Sequence, residues 1–505
     1  MIKNVLEFIE NSAKSQPDKV AFVDENKSVS YKGLESHCKS IGTYLTKFNT
    51  KNKPIAVLLD KGVNCLEAMF GVVYSGNFYV IIDSNMPVER VKTIFNTLSP
   101  IGVITDEQHM QKFDEFKNHC EIIDFETAVR ADVDKEKLKQ IRGQAIDTDP
   151  LYALFTSGST GVPKGAVICH RSVIDYAHWV TTTFDIDDKT VFGNQTPFYF
   201  SMSVLDIFTT IKNAATLQII PQSMFSFPLK LFEYINEKDI NTIYWVPSAL
   251  SIVANWKTFE YAQVPKIKTV LFAGEVMPTK QLNIWIKNNP NALFANLYGP
   301  TEITDICTYY IVNREFSQDE SLPIGKPCDN CDIIVINKDG KQAKADEEGE
   351  LCIRGSFLAL GYYNNPEKTS EVFVQNPLNI CYPELIYKTG DLVRYNEYGE
   401  LIYISRKDFQ IKHMGYRIEL GEIETAVNGI DGIISCACVY NKAKEKIVLI
   451  YQSKNLSDKD ILTEVVGKLP KYMVPNKLVR LKQMPLNANG KIDRATLAKE
   501  YADLK

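Results

Sequence analysis

The sequence predicts a mixed α/β protein with a large N-terminal domain and a small C-terminal one, and three observations carry that prediction. At 505 residues the chain exceeds what a single hydrophobic core ordinarily serves. Through roughly residue 310, short apolar strands alternate with helical periodicity, the mark of parallel sheets joined by crossover helices. From about residue 320 to 405 short strands are broken by Gly, Asp and Asn turns, and mixed α/β character then returns to the end.

The opening MIKNVLEFIENSAK reads as an amphipathic helix. The runs PIAVLL, FYVIID, IGVIT and CEIID define a first α/β series over residues 1–150. A second series, from 151 to about 310, contains AVICH, TLQIIP, TIYWVP, TVLFAG and ALFANLYG. The third section is a small β-rich, barrel-like layer, with hairpins signalled at Lys338-Asp339-Gly340-Lys341 and Glu397-Tyr398-Gly399-Glu400. The last hundred residues or so hold strands SCACVY and IVLIYQ and a helix over TEVVGKLPKYM. Their junction with the rest lies near Arg406-Lys407-Asp408.

A composition of 45% hydrophobic and 24% charged residues is that of a globular protein. The net charge of −5 provides no attraction for nucleic acid or an anionic membrane. Without a cationic leader or an apolar run of about 18 residues, the expectation is a cytoplasmic protein with no membrane insertion. Most of the eleven cysteines sit in apolar strands as small hydrophobes, and their odd number fits reduced thiols. Cys328 and Cys331 form a CxxC, but no second pair and no nearby histidine complete a zinc site.

The stretch Thr156-Ser157-Gly158-Ser159-Thr160-Gly161-Val162-Pro163-Lys164-Gly165 is rich in glycine and hydroxyls and carries one lysine. Glycines permit close backbone approach, and N–H and hydroxyl donors with a cation suit a polyphosphate. It is not a Walker A loop: Lys164 lies between Pro163 and Gly165, where no helix can begin beneath the phosphates. Alone it reads equally as a polar turn.

Further motifs change that balance. Downstream come Tyr298-Gly299-Pro300-Thr301-Glu302, Tyr387-Lys388-Thr389-Gly390-Asp391, Arg406-Lys407-Asp408, Gln410-Ile411-Lys412 and Asn489-Gly490-Lys491-Ile492-Asp493. In this order and spacing the chain resembles the adenylate-forming superfamily over nearly its whole length. It is most similar to stand-alone amino-acid adenylation enzymes, particularly the D-alanine–carrier-protein ligases, through NQTPFYFSMSVLDIF, FAGEVMP, RKDFQIKHMGYRIELGEIE and NGKIDR.

The resemblance implies an AMP-binding domain over residues 1–405, a hinge at 406–408 and a mobile lid over 409–505. It implies two half-reactions: acid plus ATP giving acyl-AMP and pyrophosphate, then capture by a thiol. Thr156, Ser157, Gly158, Ser159, Thr160, Gly161 and Lys164 would embrace the β- and γ-phosphates. Glu302, with Thr301 beside it, would hold Mg²⁺, a hard cation that prefers oxygen. Tyr298 would offer a face to adenine, with Gly299 following and Asn296 as an edge partner. Asp391 would accept the ribose hydroxyls, and Arg406 would reach ribose or phosphate. Lys491 would bridge the acid carboxylate and the α-phosphate, with Asp408 as the hinge and Gly415 beside the thiol arm.

At the acid pocket the chain departs from the pattern. α-Amino-acid-activating relatives carry an aspartate after the phenylalanine of F-D-x-S-V, whereas this chain has Phe200-Ser201-Met202-Ser203-Val204. A buried ammonium without a counter-charge is costly. By the same resemblance, Asp305 falls where family members place a pocket-lining residue, and Leu205, Leu271, Ala273, Leu297 and Ile306 would form apolar walls beside Met202. The expectation is a β- or ω-amino acid or an aryl acid rather than an ordinary α-amino acid. No carrier segment accompanies the chain, so a phosphopantetheinylated carrier protein would act in trans, and a monomer suffices. D-alanine–carrier ligation, coenzyme A ligation and non-catalytic nucleotide binding are the alternatives.

Overall fold

The computed structural model describes residues 2–110, 120–158, 162–317, 320–407, 410–442, 444–485 and 492–501. The chain forms two compact units. The first comprises residues 1–84, 99–154 and 166–407; the second comprises 85–98, 155–165 and 408–505.

The first unit is built on two mixed sheets and an antiparallel one. In the nine-stranded sheet, six consecutive strands run parallel: Leu293–Tyr298, Thr269–Phe272, Thr242–Trp245, Val191–Asn194, Thr216–Ile219 and Val20–Val23. Antiparallel strands close its edges, among them Thr308–Ile311 beside Leu293–Tyr298. The seven-stranded sheet centres on Pro150–Thr156, Phe78–Ile81 and Pro54–Leu58. The third section forms a five-stranded antiparallel sheet, with Gly349–Gly355 and Leu385–Tyr395 at its middle. Both hairpin turns named above place glycine at positive φ, Gly340 at 73° and Gly399 at 71°.

Each apolar run named above contains a strand, but the sheets do not divide at residue 150. AVICH, assigned above to the second series, lies in strand Lys164–Cys169 of the seven-stranded sheet. Conversely, Val20–Val23 leaves the first series and pairs in parallel with Thr216–Ile219. Apolar periodicity reports that a strand is buried, not which neighbour it pairs with. Trp179, Trp245, Trp285, Tyr176 and Tyr244 are fully buried in this unit's core.

In the second unit, Gln410–His413 and Tyr416–Glu419 make a hairpin whose two turn residues, Met414 and Gly415, have φ of 52° and 81°. Positive φ at both positions matches the twist of the strands. A three-stranded sheet joins Ile433–Asn441, Lys446–Ser453 and Lys477–Arg480. The helix read over TEVVGKLPKYM begins earlier and ends sooner, at Asp458–Lys468. Ser457 and Asp460 form a capping box at its start, and Pro470 disfavours helical backbone at Leu469. Helix Val88–Leu98 contributes the buried Arg90, which ion-pairs with the buried Glu422. Among the described residues, no helix is long and apolar enough to cross a membrane.

Two predictions follow from these buried polar groups. Arg90→Met strands the Glu422 carboxylate and should cost about 3 kcal/mol, with Arg90→Met/Glu422→Leu recovering most of the loss in thermal unfolding. In the first unit, burial pushes His170 down to about 3, with Arg142 pressing the same way and Asp149 and Asp147 opposing. The unfolded chain, with a histidine near the usual ~6.5, then takes up a proton that the folded chain refuses, so stability falls as pH drops through that window. Denaturant titrations at pH 7 and 4.5 should show about 2 kcal/mol less of this loss in His170→Gln.

Candidate active site

Most of the expected residues of the first unit cluster at the carboxyl ends of the parallel strands, the usual position of ligands in such sheets. Leu271 lies in Thr269–Phe272 with Ala273 just beyond it, and Asn296, Leu297 and Tyr298 end Leu293–Tyr298. Ser201 and Met202 immediately precede helix Ser203–Asn213, which carries Leu205.

The loop from Gly299 to Ile306 organises the centre. Its two ends are joined: Tyr298 pairs with Thr308 across the ladder, and Cys307 N–H donates to the Tyr298 carbonyl at 2.8 Å. A side chain at Gly299 would collide with the Asp305 carbonyl, so the loop closes only with glycine there. Inside it, Thr301–Ile303 forms one 3₁₀ turn, which buries Glu302 completely. The Tyr362 hydroxyl donates to Glu302 Oε1 at 2.6 Å, and the Glu302 carbonyl accepts Ala359 N–H at 2.9 Å.

Thr304 then adopts φ 63° and ψ −48°, and Asp305 N–H donates to the Ile303 carbonyl at 2.6 Å. This is the positive-φ γ-turn, a strained conformation for a β-branched residue, at a cost of about 1–3 kcal/mol. Two hydrogen bonds hold it: Thr304 Oγ1 to the Phe357 carbonyl at 2.8 Å, and the Tyr152 hydroxyl to the Thr304 carbonyl at 3.1 Å.

That turn sets the direction of Asp305, which is 1% exposed. Its Oδ2 accepts the hydroxyls of Tyr176 at 2.7 Å and Tyr244 at 3.1 Å. Burial pushes this carboxyl well above the usual carboxylate range; the hydroxyls pull it back, and the nearby Asp206 adds to the rise. Met202, Leu205, Leu271, Ala273, Leu297 and Ile306 are all buried. Gly274, at φ 91°, makes room beside the Met202 sulfur.

A second cluster joins Tyr298, Asp391 and Arg406. The Tyr298 hydroxyl donates to Asp391 Oδ2, and Arg406 Nη1 donates to Asp391 Oδ1 at 2.8 Å. All three side chains are largely buried. Burial, with the Asp391 charge beside it, keeps the Tyr298 hydroxyl protonated well beyond neutral pH. Asn296 turns its amide toward the Pro323 carbonyl, Nδ2 to O at 2.8 Å.

In the second unit, Thr156 Oγ1 is buried and has no partner among the described residues. Ser157 Oγ donates to the Arg417 carbonyl at 2.8 Å and accepts Glu419 N–H at 3.1 Å. A Cβ on Gly158 would strike the Val162 carbonyl, and Lys164 opens strand Lys164–Cys169. Ser159, Thr160, Gly161, Asp408 and Lys491 lie outside the described residues.

Sequence reasoning missed Tyr176, Tyr244, Tyr362 and Thr304. Each tyrosine sits in an apolar run and reads as core, which it also is; only the fold points its hydroxyl at Asp305 or Glu302.

Residues 9–363 match the family described as AMP-binding enzyme. Zwittermicin A synthase ZmaJ of Bacillus cereus is 32% identical over 98% of this chain and 94% of its own length. A D-alanine–D-alanyl carrier protein ligase of Bacillus cytotoxicus is 30% identical over 98% of this chain and 99% of its own. The solved structure of holo-PA1221, an NRPS protein containing adenylation and PCP domains, superposes with a TM-score of 0.84 at 22% identity, covering 98% of this chain and 84% of that one. The chain therefore belongs to the AMP-binding enzymes, the adenylate-forming ligases that join an acid to AMP and pass it to a thiol.

Proposed function

We propose that the protein adenylates a small acid whose amine, or other donor, is not in the ordinary α position, and transfers it to the phosphopantetheine thiol of a carrier protein. The observation that carries the choice of acid is the set of partners around Asp305. The serine at position 201, where related enzymes carry the ammonium-binding aspartate, is neutral and lies near enough to the carboxyl group at position 305 to favour its charged form. The hydroxyls of Tyr176 and Tyr244 complete its neutral donors. A buried carboxyl group held only by hydroxyls gains most from a proton or a cation. A β- or ω-ammonium supplies that cation, and an aryl acid with a ring donor uses the same acceptor.

For the nucleotide, Asp391 takes the ribose hydroxyls, with Tyr298 and Arg406 fixing its two oxygens. Tyr298 also presents its ring to adenine, while the backbone and hydroxyls of Thr156 to Thr160, with Lys164, take the terminal phosphates. Thr156 Oγ1, buried and without a partner among the described residues, fits a phosphate oxygen. Glu302 suits Mg²⁺, and among the described residues no group of three or more His, Cys, Asp or Glu forms a self-contained metal site. When bound, Mg²⁺ supplies positive charge where two anions must meet. Lys491 supplies the remaining charge to the attacking carboxylate and α-phosphate, a contribution on the order of 3 kcal/mol to the barrier.

Two measurements test this reading. Acid-dependent pyrophosphate release across D- and L-alanine, β-amino, ω-amino, aryl and short fatty acids should favour the non-α amino or aryl acids. Ser201→Asp should move the profile toward α-amino acids, and an unchanged profile would remove the assignment. Lys491→Ala should lose about 100-fold or more in adenylation. It should still transfer a supplied adenylate to holo-carrier; faster loading of coenzyme A than of carrier would identify the other acceptor.

A further inference from the structure

Beyond the side chains expected to touch nucleotide, one buried acid ties their supports together. Glu350, on strand Gly349–Gly355, is 6% exposed and lies outside every motif invoked above. Its Oε1 accepts the Gly390 N–H at 3.1 Å, and its Oε2 accepts the Lys407 ammonium at 2.9 Å, with Lys388 at 3.8 Å. Gly390 in turn uses its carbonyl to accept Lys407 N–H at 2.8 Å. Thus one carboxylate holds the residue before Asp391 and the residue after Arg406. Asp391 and Arg406 face each other as a paired position across the same two strands.

The chemistry of the turn makes such a tether necessary. Gly390 has φ 75°, a conformation open to many alternatives in glycine, so its orientation has to be imposed from outside. Thr389 Oγ1 bonds the Leu351 carbonyl at 2.7 Å and accepts Asp391 N–H at 3.0 Å, which fixes the turn from one side. Glu350 fixes it from the other. The Lys407 side chain is half exposed, so its ion pair adds little to global stability. Its consequence is geometric.

We infer that Glu350 and Lys407 are positioning residues for nucleotide binding: they hold Asp391 and Arg406 in register so that the ribose meets a preformed acceptor. The inference rests on the proposed ribose role of Asp391, and it concerns affinity for nucleotide rather than the chemical step.

The test is equilibrium binding of a fluorescent ATP analogue to the full chain, with thermal unfolding and the ATP dependence of pyrophosphate release measured alongside. Lys407→Met and Glu350→Gln should each weaken nucleotide binding about 5- to 10-fold, and the double variant should be no worse than either single one, as for residues in one network. Unfolding temperature and kcat should hardly move, and Lys407→Arg should restore affinity because a guanidinium still reaches the carboxylate. Unchanged affinity in both single variants, additive losses, or affinity, kcat and stability falling together without rescue by arginine would each overturn the assignment. Wild-type protein that binds nucleotide but releases no pyrophosphate with any acid would instead refute the adenylation reading, leaving the Glu350 assignment to be judged on binding. Wild-type protein that binds no nucleotide would remove both.

Discussion

The structure of the active region depends on the closure of one loop. Tyr298 and Thr308 face each other across antiparallel strands, and the Cys307 N–H seals the neck on the Tyr298 carbonyl. Everything between must fit a short path that starts and ends at fixed points. That constraint explains the absent side chain at Gly299, the single tight turn that buries Glu302, and the strained backbone at Thr304. Strain of this kind persists only when surrounding bonds over-determine it, as those from Thr304 to Phe357 and from Tyr152 to Thr304 do here.

Around this loop the buried polar groups are arranged in layers. Asp391 and Glu302 each accept a tyrosine hydroxyl, from Tyr298 and Tyr362, and Asp305 accepts two. A tyrosine in this role fills core volume with its ring while its hydroxyl stabilises a carboxylate at the rim. The cation on Asp391 is Arg406, whereas the hydrogen-bond donors on Asp305 are hydroxyls. Two carboxyl groups from one fold are thereby held differently: one beside a guanidinium, the other by tyrosine hydroxyls.

Much of this was legible in the residues. The strands, the two hairpin turns, the loop of glycines and hydroxyls and the ordered motifs could all be read, because apolar runs, Gly turns and spacing are local properties. The sheet exchange was not, since AVICH and Val20–Val23 carry no mark of their partner. The extent of helix Asp458–Lys468 was readable in principle, from Ser457-x-x-Asp460 and Pro470, but the apolar pattern alone misplaced it. Ser201 and Asp305 could be singled out in the sequence, but that Tyr176 and Tyr244 donate to Asp305 required residues more than a hundred positions apart in one pair to be folded together.

The γ-turn at Thr304 has one more consequence. It separates Glu302 from Asp305 by a rigid step, with Glu302 anchored toward Tyr362 and Asp305 toward Tyr176. A change of side chain at 305 therefore removes the acceptor of the Tyr176 and Tyr244 hydroxyls, while the bonds that hold Thr304 and Glu302 are made by other residues. Under the proposed reading, acid choice and metal binding would sit three residues apart on one loop, each with its own anchoring bonds.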